Sequence, residues 1–395
     1  MSGQQYKQIE LMRIGGEAQF LVYHKDGRID KAYFISRAPI RGFEKIMIGK
    51  NPVFAVEASM RICGICHAAH GIAAAEAIED AVGIIPPPNG IILREIIGLL
   101  NRIQSHLVHL VFIIRDLVVE KVAWDLMMRT IKALSNISLL LSRFGGAPTH
   151  PPYIVIGGVQ EIPKQKYLED AKKKLGEIKK EFEEISDVLF DEENWTELSN
   201  IISGIKNENA YLASHLFYGD RYNINLDKIV VKNYCDYRNN DVPDEASKTS
   251  SCVAIYGEKC VEVGPRARMV LYGKFNDNTL LGVQKARMLE TIICLDRICE
   301  LIDEIDLSEP SKTVTLILRR GRGVGVYEAP RGTLIHFVEI DNEGRISMHR
   351  IVVPTMFNIP IIEKSSIGLP LEVADLIPRL YDPCIPCSTH LIEVK

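Results

Sequence analysis

Apolar and polar residues alternate through positions 18–36, with Lys25-Asp26-Gly27 between two runs, and this period of two predicts a β-hairpin. The pattern then changes period. Positions 70–82 are rich in Ala and Ile at helical spacing, and Pro86-Pro87-Pro88-Asn89-Gly90 breaks the run. Helices are predicted over 91–119 and 122–144, the second stopped by Gly145-Gly146. A charged amphipathic helix follows over 164–191, with Lys and Glu interspersed on a solvated face. Positions 200–275 are mixed, with turns around Asn239-Asn240, and another long helix is expected over 281–303. β character returns at 314–318 and 333–340, turning through Asn342-Glu343-Gly344, and a short helix over 371–380 precedes the last cysteines. No internal repeat or low-complexity segment interrupts the chain. The expected fold class is therefore α+β and mostly α: a long-helix bundle core with small peripheral β elements. It is read as one domain over 1–395, with an N-terminal β-hairpin region 1–60, a helical core 67–310, and a β region with the C-terminal cysteine loop over 311–395.

Composition narrows the function classes. The 395 residues are 47% hydrophobic and 25% charged, the balance of a folded globular protein. A net charge of −4 supplies no basic field, so nucleic acid is not an expected partner. The N-terminus has no basic region followed by an apolar one, and apolar stretches such as 107–119 are broken by His109, Arg115 and Asp116. None reaches the ~18 to 20 apolar residues of a spanning helix. No transmembrane segment and a cytoplasmic location are the resulting expectations.

Nine cysteines change the picture most. The count is odd, so a disulfide framework is not expected. Four of them form two C-x-x-C pairs near opposite ends of the chain: Arg61-Ile62-Cys63-Gly64-Ile65-Cys66 with His70 beyond, and Asp382-Pro383-Cys384-Ile385-Pro386-Cys387 with His390 beyond. Two residues between thiols let both sulfurs of a pair turn toward one ion. Gly64 permits the tight bend, and Pro383 and Pro386 stiffen the second loop. Four soft ligands suit zinc, iron or nickel, and spacing alone leaves a structural zinc site open. His70 and His390 could be ligands or donors that orient a thiolate. Cys235, Cys252, Cys260, Cys294 and Cys299 are irregularly spaced and read as core residues.

The patterns R-x-C-G-x-C-x-x-x-H and D-P-C-x-x-C-x-x-H resemble those of [NiFe] hydrogenase large subunits. The resemblance extends through Arg41-Gly42-Phe43-Glu44, Gln104 to His109, Gly145-Gly146 through Gly157-Gly158, Glu328-Ala329-Pro330-Arg331-Gly332 with His336, and Val353-Pro354-Thr355 with Asn358, all in the family's order. It implies that family's fold and a nickel–iron centre whose iron carries carbonyl and cyanide. Cys66 and Cys387 would bridge the metals, and Cys63 and Cys384 would bind nickel terminally. Arg331 would lie above the open position, with Pro330 and Thr355 beside the diatomic ligands. A hydroxyl and a guanidinium suit an anionic acceptor such as cyanide. Glu44 and His390 would lie at a magnesium-like site. Taken alone, Arg331 fits a surface turn, Glu44 a solvated charge, and His106 and His109 satisfied polar groups on an apolar helix.

The implied reaction is heterolytic cleavage of H2, with Cys384 as the proton acceptor. Further cysteine arrays are lacking, so iron–sulfur clusters must come from a small subunit. The segments from Ala32 to Glu44 and Val263-Gly264-Pro265 are similar to the archaeal enzymes that reduce a deazaflavin coenzyme (F-420), which implies a partner subunit carrying flavin. A maturation chaperone and a C-terminal peptidase are further implied partners. Large subunits linked to heterodisulfide reductase or to sulfur reduction are the nearest alternative, and a non-hydrogenase paralogue or structural zinc protein the more distant one. The chain departs from the family at Arg13-Ile14-Gly15-Gly16-Glu17, where R-x-E-G-H is common. Glycine stands in place of the proton-relay glutamate, so Glu17 or a water chain is expected to take that role. Ser105 replaces an aspartate of some relatives, which bears on the surroundings of Arg331.

Overall fold

The computed structural model describes residues 5–219 and 223–389. The expected hairpin forms from Ala18–Lys25 and Arg28–Ser36. Asp26 (φ 50°) and Gly27 (φ 74°) are both left-handed, the two-residue turn whose twist matches paired strands. The hairpin gains a third antiparallel strand, Gln5–Leu11, whose mostly exposed side chains gave no alternating signal.

Four long helices build the core. Pro88–Leu117 and Glu120–Gly145 lie against each other, Gln165–Phe190 against the second, and Gly282–Glu304 closes the ring by touching both Gln165–Phe190 and Pro88–Leu117. Apolar stripes face inward: Leu168, Ala171, Leu175, Ile178, Phe182, Ile185 and Leu189 are buried at three- and four-residue spacing on one helix. Contrary to the sequence expectation, Pro88–Leu117 is long and apolar enough to cross a membrane by length and composition. It is mostly buried here, and Arg94, Arg102 and His106 lie inside it as buried polar side chains. Between residues 200 and 264 the chain is mixed, as expected, with short two-stranded ladders such as Ile229–Asn233 against Cys252–Tyr256.

The C-terminal sheet has three antiparallel strands, Gly321–Ala329, Gly332–Ile340 and Ile346–Val352. The expected strand at 314–318 is not formed; Val314 (92% exposed) and Ile317 (69%) face solvent. The real first strand was hidden by Gly321, Gly323 and Gly325, which weaken any β signal. Their purpose is packing. A Cβ on these glycines would overlap the backbone carbonyls of Ala81, Ala77 and Ala73 in the helix His67–Val82. Glycine every second strand residue meets alanine every fourth helix residue, and backbone touches backbone. This seam presses the sheet onto the helix that follows the first cysteine pair.

Candidate metal centre

Cys63 and Cys66 lie in the turn between the helices Pro52–Met60 and His67–Val82, and Cys384 and Cys387 flank the start of the short helix Ile385–Ser388. All four are buried and free, and their sulfurs lie within 4.8 Å of one another. Like meets like: Cys63 Sγ is 3.5 Å from Cys384 Sγ, Cys66 Sγ is 3.3 Å from Cys387 Sγ, and Cys384 and Cys387 are 3.0 Å apart. These gaps are far beyond a disulfide bond but suit ligands sharing a metal site.

Arg41 ties the two loops together, and further hydrogen bonds shape the first and anchor the second. The Arg41 guanidinium donates to the carbonyls of Ile62 and Pro386, one from each cysteine loop, and its backbone N–H reaches Thr389 O at 2.9 Å. Ile65 and Cys66 N–H groups each donate to Cys63 Sγ at 3.2 Å. Cys384 N–H donates to Thr355 Oγ1 at 3.0 Å, and Ile385 N–H to Gly15 O at 2.7 Å. Gly15 therefore lies directly against the last loop, where a Cβ would be 3.8 Å from Cys384 Sγ.

Thiols alone carry charge poorly in this cage. Hydrogen bonds from Cys384, Cys387 and Cys66 hold Cys63 well below the usual thiol range. Bonding to Cys384 pushes Cys66 up, and burial pushes Cys387 up. Four buried thiolates thus need cations to be charged together, and the donor set fits soft metal ions. Arg331 adds one fixed positive charge: burial opposes it, but Asp382 and the cysteines Cys384, Cys66 and Cys63 hold it protonated. Its Nε donates to Asp382 O at 2.7 Å, one terminal nitrogen to Asp382 Oδ1 at 3.0 Å, and the other to Ser105 Oγ at 3.3 Å. Burial works against the Asp382 charge, yet Arg331, His109 and Arg287 keep its carboxyl below the usual range.

The structure thus brings the four cysteines, Arg331, Thr355 and His70 together. His70 Nε2 lies 3.5 Å from Cys387 Sγ. Pro330 precedes Arg331 on the same loop, and Arg268 donates to Ala329 O at 2.9 Å and to Pro330 O at 3.0 Å. Arg331 is no surface turn: it is 4% exposed. Glu44 is half-buried, and burial pushes its carboxyl up to about 8 against the opposing Ile351 N–H and Arg350. His390 lies outside the described residues. Glu17 is exposed, two residues past Gly15, and its backbone carbonyl accepts from Arg37 N at 3.3 Å. His106 is a core group satisfied on one side: its Nε2 bonds Glu290 at 2.8 Å inside a buried network with Arg102, Arg268 and Glu328, while its buried Nδ1 has no partner among the described residues. His109 does more, because its Nδ1 is 3.5 Å from the Asp382 carboxylate that pairs with Arg331. Sequence reading singled out Asp382 only as part of the motif around the last cysteines and missed Arg268 and Arg287 as parts of this setting. A charged residue inside an apolar helix was the signal available for the two arginines.

A family profile described as nickel-dependent hydrogenase matches residues 41–113 and 275–390, the stretches that carry both cysteine pairs and Arg331. The coenzyme F420 hydrogenase subunit alpha of Methanocaldococcus jannaschii is 36% identical over 382 residues, covering 93% of this chain and 89% of that protein. The subunit of the same description from Methanothermobacter thermautotrophicus is 32% identical over 383 residues, covering 96% of this chain and 93% of that protein. Sulfhydrogenase 1 subunit alpha of Pyrococcus furiosus is 28% identical over 399 residues, with 90% of each chain covered. Among solved structures, the oxidised Ni-Fe-Se hydrogenase of D. vulgaris Hildenborough superposes with a TM-score of 0.86 at 22% identity, covering 98% of this chain and 100% of that one, a likeness of fold. The relatives align over nearly the whole chain, cage and helices alike, and the readings that cysteine spacing left open are thereby decided: the chain belongs to the nickel-dependent hydrogenase family, as a large subunit.

Proposed function

We propose that this large subunit splits H2 heterolytically at a nickel–iron pair held by Cys63, Cys66, Cys384 and Cys387, and that the electrons pass through an iron–sulfur small subunit to a deazaflavin coenzyme bound by a flavin subunit. The observation that carries the reading is the buried four-sulfur cage with the Arg331 guanidinium fixed beside it. When bound, nickel and iron supply the Lewis acidity and electron acceptance that cleavage of H2 needs. Cys63, Cys66, Cys384 and Cys387 would hold the metals, their sulfurs meeting as 63 with 384, 66 with 387 and 384 with 387.

The chain's own residues have five tasks. Burial of the cage excludes water, which strengthens every charge interaction inside it. The sulfur of Cys384 would take the first proton of the cleavage, from its buried place in the cage. Thr355 Oγ1 accepts the Cys384 N–H, and its hydroxyl proton would serve as a donor to an anionic ligand of the metals such as cyanide. Arg331 would face the open metal position with a fixed charge, and Pro330 would offer it an apolar ring. Glu44, whose carboxyl burial pushes up to about 8, fits a nearby hard cation such as magnesium, with His390 as its partner.

The proton then leaves past Gly15, the glycine that lies against Cys384, toward Glu17 at the surface. Glu17→Gln is expected to slow H2/D+ exchange by about 100-fold, the scale of a lost general base. An unchanged exchange rate assigns the step to water filling the space beside Gly15 and removes Glu17 from the path.

Electrons need another route, because the four-thiol group is the one metal-ligand cluster among the described residues. The deazaflavin acceptor is supported by the two relatives above 30% identity, both described as coenzyme F420 hydrogenase subunits. The reading is tested on the purified multi-subunit enzyme. Metal analysis should find nickel together with iron in excess, the excess belonging to the iron–sulfur clusters of the small subunit, with infrared bands in the carbonyl and cyanide stretching region and H2-dependent reduction of the deazaflavin. Zinc without nickel overturns the centre. Nickel and iron with electrons delivered only to a heterodisulfide or to sulfur overturns the acceptor alone.

A further inference from the structure

Behind Cys387 stands a line of three histidines. His70 Nε2 lies 3.5 Å from Cys387 Sγ, His70 Nδ1 is 3.2 Å from His336 Nε2, and His336 Nδ1 is 2.9 Å from His349 Nε2. The rings are 1%, 0% and 4% exposed, so the contacts are made away from bulk water. They come from three different elements: the helix His67–Val82 and the strands Gly332–Ile340 and Ile346–Val352. The glycine seam makes the line possible. Gly325 pairs with His336 across the ladder and also meets Ala73, which brings the His336 strand up to the helix bearing His70.

The chemistry gives the line a direction. A metal-bound thiolate has no proton and can only accept, so the nitrogen of His70 that faces Cys387 must donate. A neutral imidazole has one donor and one acceptor nitrogen, which leaves His70 Nδ1 as an acceptor. It must be met by a donor. A backbone carbonyl or a carboxylate, the usual backing of a metal-site histidine, could not supply one. An imidazole can, if its proton is on Nε2. The same reasoning passes from His336 to His349.

We propose that His336 and His349 are positioning residues of the metal centre: as a line of neutral imidazoles, each protonated on Nε2, they hold His70 as an N–H donor to the Cys387 sulfur. This rests on the reading of Cys387 as a metal-bound thiolate. The donated N–H draws electron density from the sulfur and so favours the reduced form of the centre. The third ring, on a strand with no cysteine, thereby tunes a metal site from two residues away.

Two measurements test the proposal in the intact enzyme complex. Neutron diffraction from crystals grown in D2O should place deuterium on Nε2, and not on Nδ1, of His70, His336 and His349. Deuterium on Nδ1 of any of the three overturns the line, as does deuterium on both nitrogens. The second compares His349→Phe with His349→Gln by infrared spectroelectrochemistry, with nickel and iron content measured alongside. Phe keeps bulk but removes the donor, and the midpoint potential of the centre should move negative. Gln offers an amide N–H near the Nε2 position and should restore it. Phe and Gln variants of equal potential, or a Phe variant at the wild-type potential, overturn the proposal. A Phe variant that loses its metals leaves the decision to the neutron map of the unaltered enzyme. Zinc in place of nickel and iron would overturn the hydrogenase reading separately, while the same map would still report the proton positions that any bound thiolate imposes.

Discussion

Cys384→Ser is expected to abolish H2 oxidation, lowering it by more than about 1,000-fold, and to strip nickel from the purified enzyme. A serine hydroxyl stays protonated near neutral pH and is a harder, poorer ligand than a thiolate. The metal's contribution of several kcal/mol then disappears, and each ~1.4 kcal/mol is tenfold in rate. The position should be indifferent to folding in the way a packing residue is not. The control is Cys294→Ser, at another fully buried cysteine on the helix Gly282–Glu304, whose thiol burial pushes up to about 12. It should cost stability yet leave nickel, iron and specific activity unchanged in the folded fraction. Equal metal loss in both variants would mean that the cage fails through general unfolding, and would remove Cys384 as a ligand.

Arg331→Lys should lower turnover by about 100-fold with nickel and iron content intact, the scale on which a preorganised charge contributes. The charge survives the substitution, but the shape does not. Three nitrogens of the guanidinium reach three separate acceptors: Asp382 O, Asp382 Oδ1 and Ser105 Oγ. A planar fork satisfies these together, whereas an ammonium on a flexible stem must choose among them. Turnover in single-metal-content preparations is the measurement. A Lys variant as fast as the parent would show that net charge beside the cage suffices and that its orientation is idle.

Much of the helical core was legible in the chain, because long amphipathic stretches carry their own period. The helices at 91–119, 122–144, 164–191 and 281–303 were expected within a few residues of Pro88–Leu117, Glu120–Gly145, Gln165–Phe190 and Gly282–Glu304. The C-terminal sheet was legible only in part. The strand Gly332–Ile340 was read, but its neighbour Gly321–Ala329 was not, since glycines chosen for backbone contact erase β propensity. The β-branched run at 314–318 misled for the opposite reason: it looks like a strand and has no partner ladder. At the centre, two C-x-x-C pairs announced the cage, yet nothing in their spacing said that residue 63 would meet 384 and residue 66 would meet 387. Contacts that join the two ends of the chain are set by tertiary packing, as are the Arg41 clamp and the histidine line.

The seam between Gly321, Gly323, Gly325 and the alanine ledge has a mechanical meaning. Where side chains interlock, a joint can relax by rotamer exchange, so its spacing fluctuates and tolerates repacking. Here main chain rests on main chain, and the joint has no rotamers to exchange. The separation of His70 and His336 is then fixed as a bearing fixes a shaft, by hard surfaces rather than by a cushion. A cofactor whose neighbours must hold their hydrogen-bond distances through every turnover is mounted on the stiffest kind of joint a polypeptide can make.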